Sequence, residues 1–135
     1  MSDDFWNPGG DREDGHGMFP SRPEYNVQSP PWRPPIDIYE TETHVVLIAE
    51  LPGVHKDDIK VCFNNSVLTV SGVKRKVTGT KGCSYFCVER YYGAFKRSFK
   101  VISEIDKHRM DATFDAGILT IILPKTAVKK EVNGE

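Results

Sequence analysis

Two of the three cysteines, Cys83 and Cys87, stand four residues apart in GCSYFCVERYYGAFKRSF, residues 82–99, where six aromatics surround Arg90 and Arg97. Thiols so placed could form a disulfide, hold a metal or simply pack. Read as part of one long strand over 83–101, Cys83 and Cys87 share a face but lie about 13 Å apart, at roughly 3.3 Å per residue. A disulfide needs α-carbons within roughly 7 Å, so an extended chain cannot join them. Tetrahedral zinc would require a turn and two further ligands. The remaining candidates, Cys62, His16, His44, His55 and His108, show no pair at finger-like spacing. The cysteines are therefore read as small buried hydrophobes. The sequence has no Gly-rich loop ending in Lys-Ser/Thr, no G-x-S-x-G nucleophile and no H-E-x-x-H pair. No catalytic residue, metal or cofactor is expected, nor any use of ATP. The carboxylate pairs Asp57 with Asp58 and Glu40 with Glu42 read as solvated surface. The loop VKRKVTGTKG, residues 73–82, carries four bases with no interleaved aromatics, too weak a pattern to predict a nucleic-acid partner.

Those residues must be held by a small scaffold. At 135 residues and 15.2 kDa, the chain has room for one domain and some additional length. A net charge of −1 supplies no global field for a polyanion. The start MSDDFWNPGG lacks the basic and apolar regions of a secretory signal. The longest apolar run, ILTIIL at 118–123, falls well short of the roughly 18 residues of a membrane span. A cytoplasmic protein with reduced thiols and no membrane partner is expected.

Residues 1–34 contain six prolines and four glycines, with six acids against three bases and no apolar period. This composition predicts a disordered arm. It nevertheless carries Phe5, Trp6, Met18, Phe19, Tyr25 and Trp32, which either pack locally or on neighbouring subunits, or catch other proteins. From residue 35 to residue 125 the pattern is short β-rich runs between turn signals. Ile36 to Tyr39 alternates, Val45 to Ala49 is continuously apolar, and Ile59, Val61 and Phe63 share one face. Asn64-Asn65 turns the chain into a strand beginning at Val67. A strand from Met110 to Phe114, a turn at Asp115-Ala116-Gly117 and a strand from Ile118 to Leu123 follow, with a short helical candidate at 103–109. About eight strands predict an all-β antiparallel β-sandwich. Ile36 and Ile38 lie on an edge-like strand, and the loop 73–82, with Val73 and Val77, is long enough to reach that edge in a second copy. A homodimer by strand exchange is therefore expected. Residues 126–135 read as a flexible tail.

Several motifs, in order, resemble the small heat shock proteins and their α-crystallin domain. They are Glu50-Leu51-Pro52-Gly53, Asp57-Asp58-Ile59-Lys60-Val61, Leu68-Thr69-Val70-Ser71-Gly72, Glu89-Arg90-Tyr91-Tyr92-Gly93-Ala94-Phe95-Lys96-Arg97-Ser98-Phe99 and Ala112-Thr113-Phe114-Asp115-Ala116-Gly117-Ile118-Leu119, closed by Leu123-Pro124-Lys125. The resemblance implies an immunoglobulin-like sandwich that swaps a loop strand onto its partner, and ATP-independent holding of unfolding client proteins. It also implies that Arg97 lies near the dimer contact. A groove would fall between Ile59, Val61 and Phe63 on one strand and Ala112 and Phe114 on another. The family's I-x-I or I-x-V tail motif is missing from residues 126–132. The groove would then stay open, take the arm of residues 1–34, or accept a partner's motif, and oligomers larger than a dimer are not specified. The other reading is a CS-type adaptor that binds one folded partner.

Overall fold

The computed structural model describes residues 4–9, 32–76 and 81–127. Among these residues eight antiparallel strands form two four-stranded sheets packed face to face. One sheet is ordered β1-β4-β5-β6 and the other β2-β3-β8-β7. The strands are β1 (Asp4–Trp6), β2 (Ile36–Glu40), β3 (His44–Glu50), β4 (Ile59–Asn64), β5 (Val67–Lys74), β6 (Gly93–Lys100), β7 (Asp111–Asp115) and β8 (Ile118–Pro124). The alternation legible in the sequence becomes the core. Ile59, Val61 and Phe63 of β4, Leu68 and Val70 of β5, and Leu119, Ile121 and Leu123 of β8 all face inward and are buried. Each such side chain contributes about 1.5–3 kcal/mol when fully removed from water.

The turns follow from local chemistry. The β4–β5 hairpin turns at Asn65 and Ser66, both with positive φ (52° and 66°), as a tight two-residue hairpin requires. The β7–β8 hairpin turns at Ala116 (φ 53°) and Gly117 (φ 79°). The carbonyl of Gly117 accepts from the Leu51 amide at 2.7 Å, tying this turn to the end of β3. Gly72 pairs with both Ile59 and Phe95 across its sheet. A Cβ there would stand 2.2 Å from the Asp58 carbonyl and 2.8 Å from the Phe95 ring. The helical candidate at 103–109 shrinks to a 3-10 turn, Lys107–Arg109, capped by the Asp106 carboxylate, which accepts from the His108 amide at 3.1 Å.

Several expectations are corrected. The long strand over 83–101 begins only at Gly93, and residues 81–92 run as an irregular loop. Cys83 and Cys87 are accordingly exposed and Cys62 is half-buried, so none is the fully buried hydrophobe expected. Asp58 is not solvated surface: its side chain is 6% exposed, and Arg75 donates to both its oxygens, Nε to Oδ2 at 2.7 Å and Nη2 to Oδ1 at 2.6 Å. Val73 belongs to β5 and is buried. Trp32, assigned to the arm, is 9% exposed inside the core cluster, edge-on to Phe95 with ring centroids 5.2 Å apart. Aromatic burial outweighs the proline-rich context there. Met18, Phe19, Tyr25, Val77 and most of the tail lie outside the described residues.

Candidate interaction site

The sandwich has two flanks where the edge of one sheet meets the edge of the other. On the first, β2 and β6 are the edge strands. Phe95, Arg97 and Phe99 share a face of β6 by the two-residue period. That places a guanidinium among apolar groups, where it needs an acceptor. Arg97 Nη1 donates to the Pro34 carbonyl at 2.7 Å, and the guanidinium lies over the Phe99 ring, 5.1 Å from its centroid. The bond crosses between sheets and holds the chain just before β2.

The other end of β2 is held by charge. Glu40 Oε2 lies 2.5 Å from Lys125 Nζ and accepts from Ser103 Oγ at 2.9 Å, while Lys125 also donates to the Thr41 carbonyl at 2.7 Å. The hydrogen bond from Lys125, then that from Ser103, then the Lys125 charge hold the Glu40 carboxyl below its usual range. Between these two clamps, β2 pairs with β3, and among the described residues no strand pairs with its outer edge. Beside it is an open cleft of about 250 Å³ lined by residues including Ile38, Tyr39, Phe99 and Ile102. Ile102 is 92% exposed, and Ile38 and Tyr39 are exposed as well. Of the residues expected at a dimer contact, Ile36, Ile38 and Arg97 meet on this flank. Ile36 is half-buried against the core, and Val73 lies within the β5–β6 ladder opposite Ala94.

The loop of residues 75–92 supplies what sequence reasoning missed. Its Phe86 is fully exposed, with Tyr85 and Tyr91 also exposed. Their aromatic character was legible, but it had been absorbed into a strand. The basic residues nearby are engaged inside the chain. Lys74 stands over the Trp32 ring at 4.6 Å and Lys76 over the Tyr85 ring at 4.8 Å. Burial, and then the charge of Arg90, pushes the Lys74 ammonium below its usual range. The hydrogen bond to Asp58 raises Arg75 further.

On the second flank, β1, the edge strand next to β4, lies beside β7. Here Ile59, Val61, Phe63 and Ala112 are buried in the core and Phe114 is half-buried, so they form the floor of the flank and not an open trench. The flank is filled by β1, which pairs with the outer edge of β4 and runs beside β7. Asp4 stands opposite Cys62, but Trp6 stands opposite Val61, so two residues of β1 advance against one of β4. Such a bulge breaks the strict alternation of faces. Both Phe5 and Trp6 are half-buried and pack against the core. Among the described residues no group of three or more His, Cys, Asp or Glu side chains gathers to hold a metal. No helix among them is long and apolar enough to cross a membrane.

Residues 37–134 match the Hsp20/alpha crystallin family. The chain belongs to that family. It is similar to the small heat shock protein C4 of Rickettsia felis, 40% identical over 97 residues that make up 72% of this chain and 60% of the relative. It is also similar to heat shock protein 16 of Schizosaccharomyces pombe, 37% identical over 117 residues, 82% of this chain and 81% of the relative. The chain thus spans about three-fifths of the length of the Rickettsia relative and more of the yeast one. Among solved structures, heat shock protein 16.0 of Schizosaccharomyces pombe superposes with a TM-score of 0.65 at 34% identity, covering 77% of this chain and 99% of that one. A small heat-shock protein from Xylella fastidiosa superposes with a TM-score of 0.67 at 29% identity, covering 78% and 97%. The Hsp20 match begins within β2 and extends through β8, so the cleft, the aromatic loop, β4 and β7 lie inside it, while Pro34 and β1 precede it.

Proposed function

We propose that this Hsp20-family protein is an ATP-independent holdase, acting in the cytoplasm as a homodimer that binds unfolding proteins and suppresses their aggregation. The observation that carries the reading is the apolar surface displayed beside an edge strand: the cleft at Ile38, Tyr39 and Ile102 beside β2, and Phe86, fully exposed in the loop before β6. An unpaired edge invites another strand, and an 18-residue connection at 75–92 supports exchange of that loop between two copies. Pairing the two edges would leave further apolar surface for clients, each buried large side chain adding about 1.5–3 kcal/mol before entropy costs. The relatives' description as small heat shock proteins supports the same assignment. The test is light scattering of a thermolabile enzyme heated without nucleotide. Near-equimolar protein should suppress scattering strongly and should gain nothing from ATP. Precipitation at the rate seen in buffer would refute the reading.

A further inference from the structure

We infer that Cys83 and Cys87 form a thiol–disulfide exchange site, whose reaction with a small-molecule disulfide closes an intrachain bridge around Phe86. The closed form holds the loop too compact to be exchanged between copies. The inference rests on the strand-exchange reading and adds to it a control by oxidation. A bridge is excluded only for an extended chain, and residues 81–92 belong to no strand; the backbone bends at Phe86, between the two cysteines. Lys76 lies over the Tyr85 ring, 4.8 Å from its centroid, so the loop is already folded back at the segment the bridge would enclose. Both thiols are exposed, so a reagent reaches either one. Drawing their α-carbons within roughly 7 Å breaks no strand pairing among the described residues. One cysteine thiolate attacks the reagent's disulfide, forming a mixed disulfide and expelling one small thiolate; the other cysteine then attacks the protein sulfur of that adduct and expels the second. The loop loses two thiols, the reagent is reduced to two, and the two thiol protons pass to the released molecules. A ring enclosing only Ser84, Tyr85 and Phe86 restricts few unfolded conformations, so the bridge gains little from the fold and stays reversible by excess thiol. An exchanged strand needs about 13 Å between Cys83 and Cys87, nearly twice what the bridge allows, so pairing of copies and oxidation oppose one another.

The test uses the full-length protein equilibrated with glutathione disulfide and then returned to excess reduced glutathione. Cleavage after Lys81 and Arg90 yields a peptide, Gly82 to Arg90, that carries both thiols and no other cysteine. From oxidised protein this peptide should be two hydrogens lighter and refuse alkylation, while Cys62, paired on both sides within its sheet, still alkylates once the chain is denatured. Reduced glutathione should reverse the change. Glutathione retained on either cysteine, a bridge between chains, or full alkylation of the peptide after oxidation would overturn the site. Sedimentation of the same samples across a dilution series should give a dimer dissociation constant roughly tenfold or more higher in the oxidised form, restored on reduction. Equal constants in bridged and reduced protein would refute the control of exchange. If the reduced protein is monomeric at every concentration, the strand-exchange reading falls, and the thiol site is judged by the peptide alone, whose bridge forms or fails whether or not copies pair.

Discussion

The F-x-R-x-F setting of Arg97 resembles one that lies near a dimer contact, but its partner within the chain was not legible, because Pro34 lies sixty-three positions away and offers only a carbonyl. The period-two rule put the side chain on the inner face; the second sheet supplied the acceptor. Removing it with Arg97→Ala strips a buried carbonyl of a charged donor and should cost about 1.5–3 kcal/mol in denaturant melts. Arg97→Lys should recover part of that, since an ammonium can donate to the carbonyl but cannot lie flat over Phe99. Equal losses in the two variants would assign the energy to the stacking. Asp58 is the converse case. An Asp-Asp pair in a polar turn carries no local sign of burial, and its bidentate partner, Arg75, is seventeen residues on. Gly72 is similarly fixed by neighbours, the Asp58 carbonyl and the Phe95 ring, that meet only in the folded sheet. Gly72→Ala should destabilise the fold by about 1–3 kcal/mol through overpacking, read as a fall in urea midpoint at constant slope.

At the scale of elements, the central strands were legible because burial of one face writes a two-residue period into β4, β5 and β8. The two failures have opposite causes. Residues 83–92 carry strand-forming aromatics but pair with no strand among the described residues, so propensity alone overstated order there. Conversely, β1 is too short to show a period, and only the unfilled edge of β4 makes it a strand. The residues assigned to a groove lie on β4 and β7, and the arm was one of three occupants offered for it, but no apolar period marked Asp4 to Trp6 as the paired segment. For β2, the edge was expected but its clamps were not, and one of them titrates. Because the folded-state Glu40 carboxyl is held below its ordinary value, its contribution is present above the unfolded pKa and is lost as pH falls through the lowered folded value. Below about pH 4.3 the clamp to Lys125 and Ser103 should therefore weaken. Amide exchange in β2 should accelerate there in the native protein, whereas Glu40→Gln should exchange faster at neutral pH and show a flatter acid response. A variant profile parallel to the native one would mean that Glu40 does not hold this edge.

For the whole molecule, the unresolved balance is between exposed surface and solubility. A lone chain leaves Phe86 wholly in water and Ile102 nearly so, on opposite sides of an exchange that two copies could complete. If the Phe86 ring seats in the partner's cleft beside β2, burying it is worth about 1.5–3 kcal/mol. Its loss in Phe86→Ala should then raise the dimer dissociation constant roughly ten- to a hundredfold. Sedimentation across a dilution series reads that directly. Ile102→Ala would weaken the same contact from the other side, so the two effects should fall short of additive in the double variant. Strict additivity would place Phe86 and Ile102 in separate contacts. An unchanged dimer would instead assign Phe86 to client capture, where the same substitution should lower protection against aggregation without altering mass.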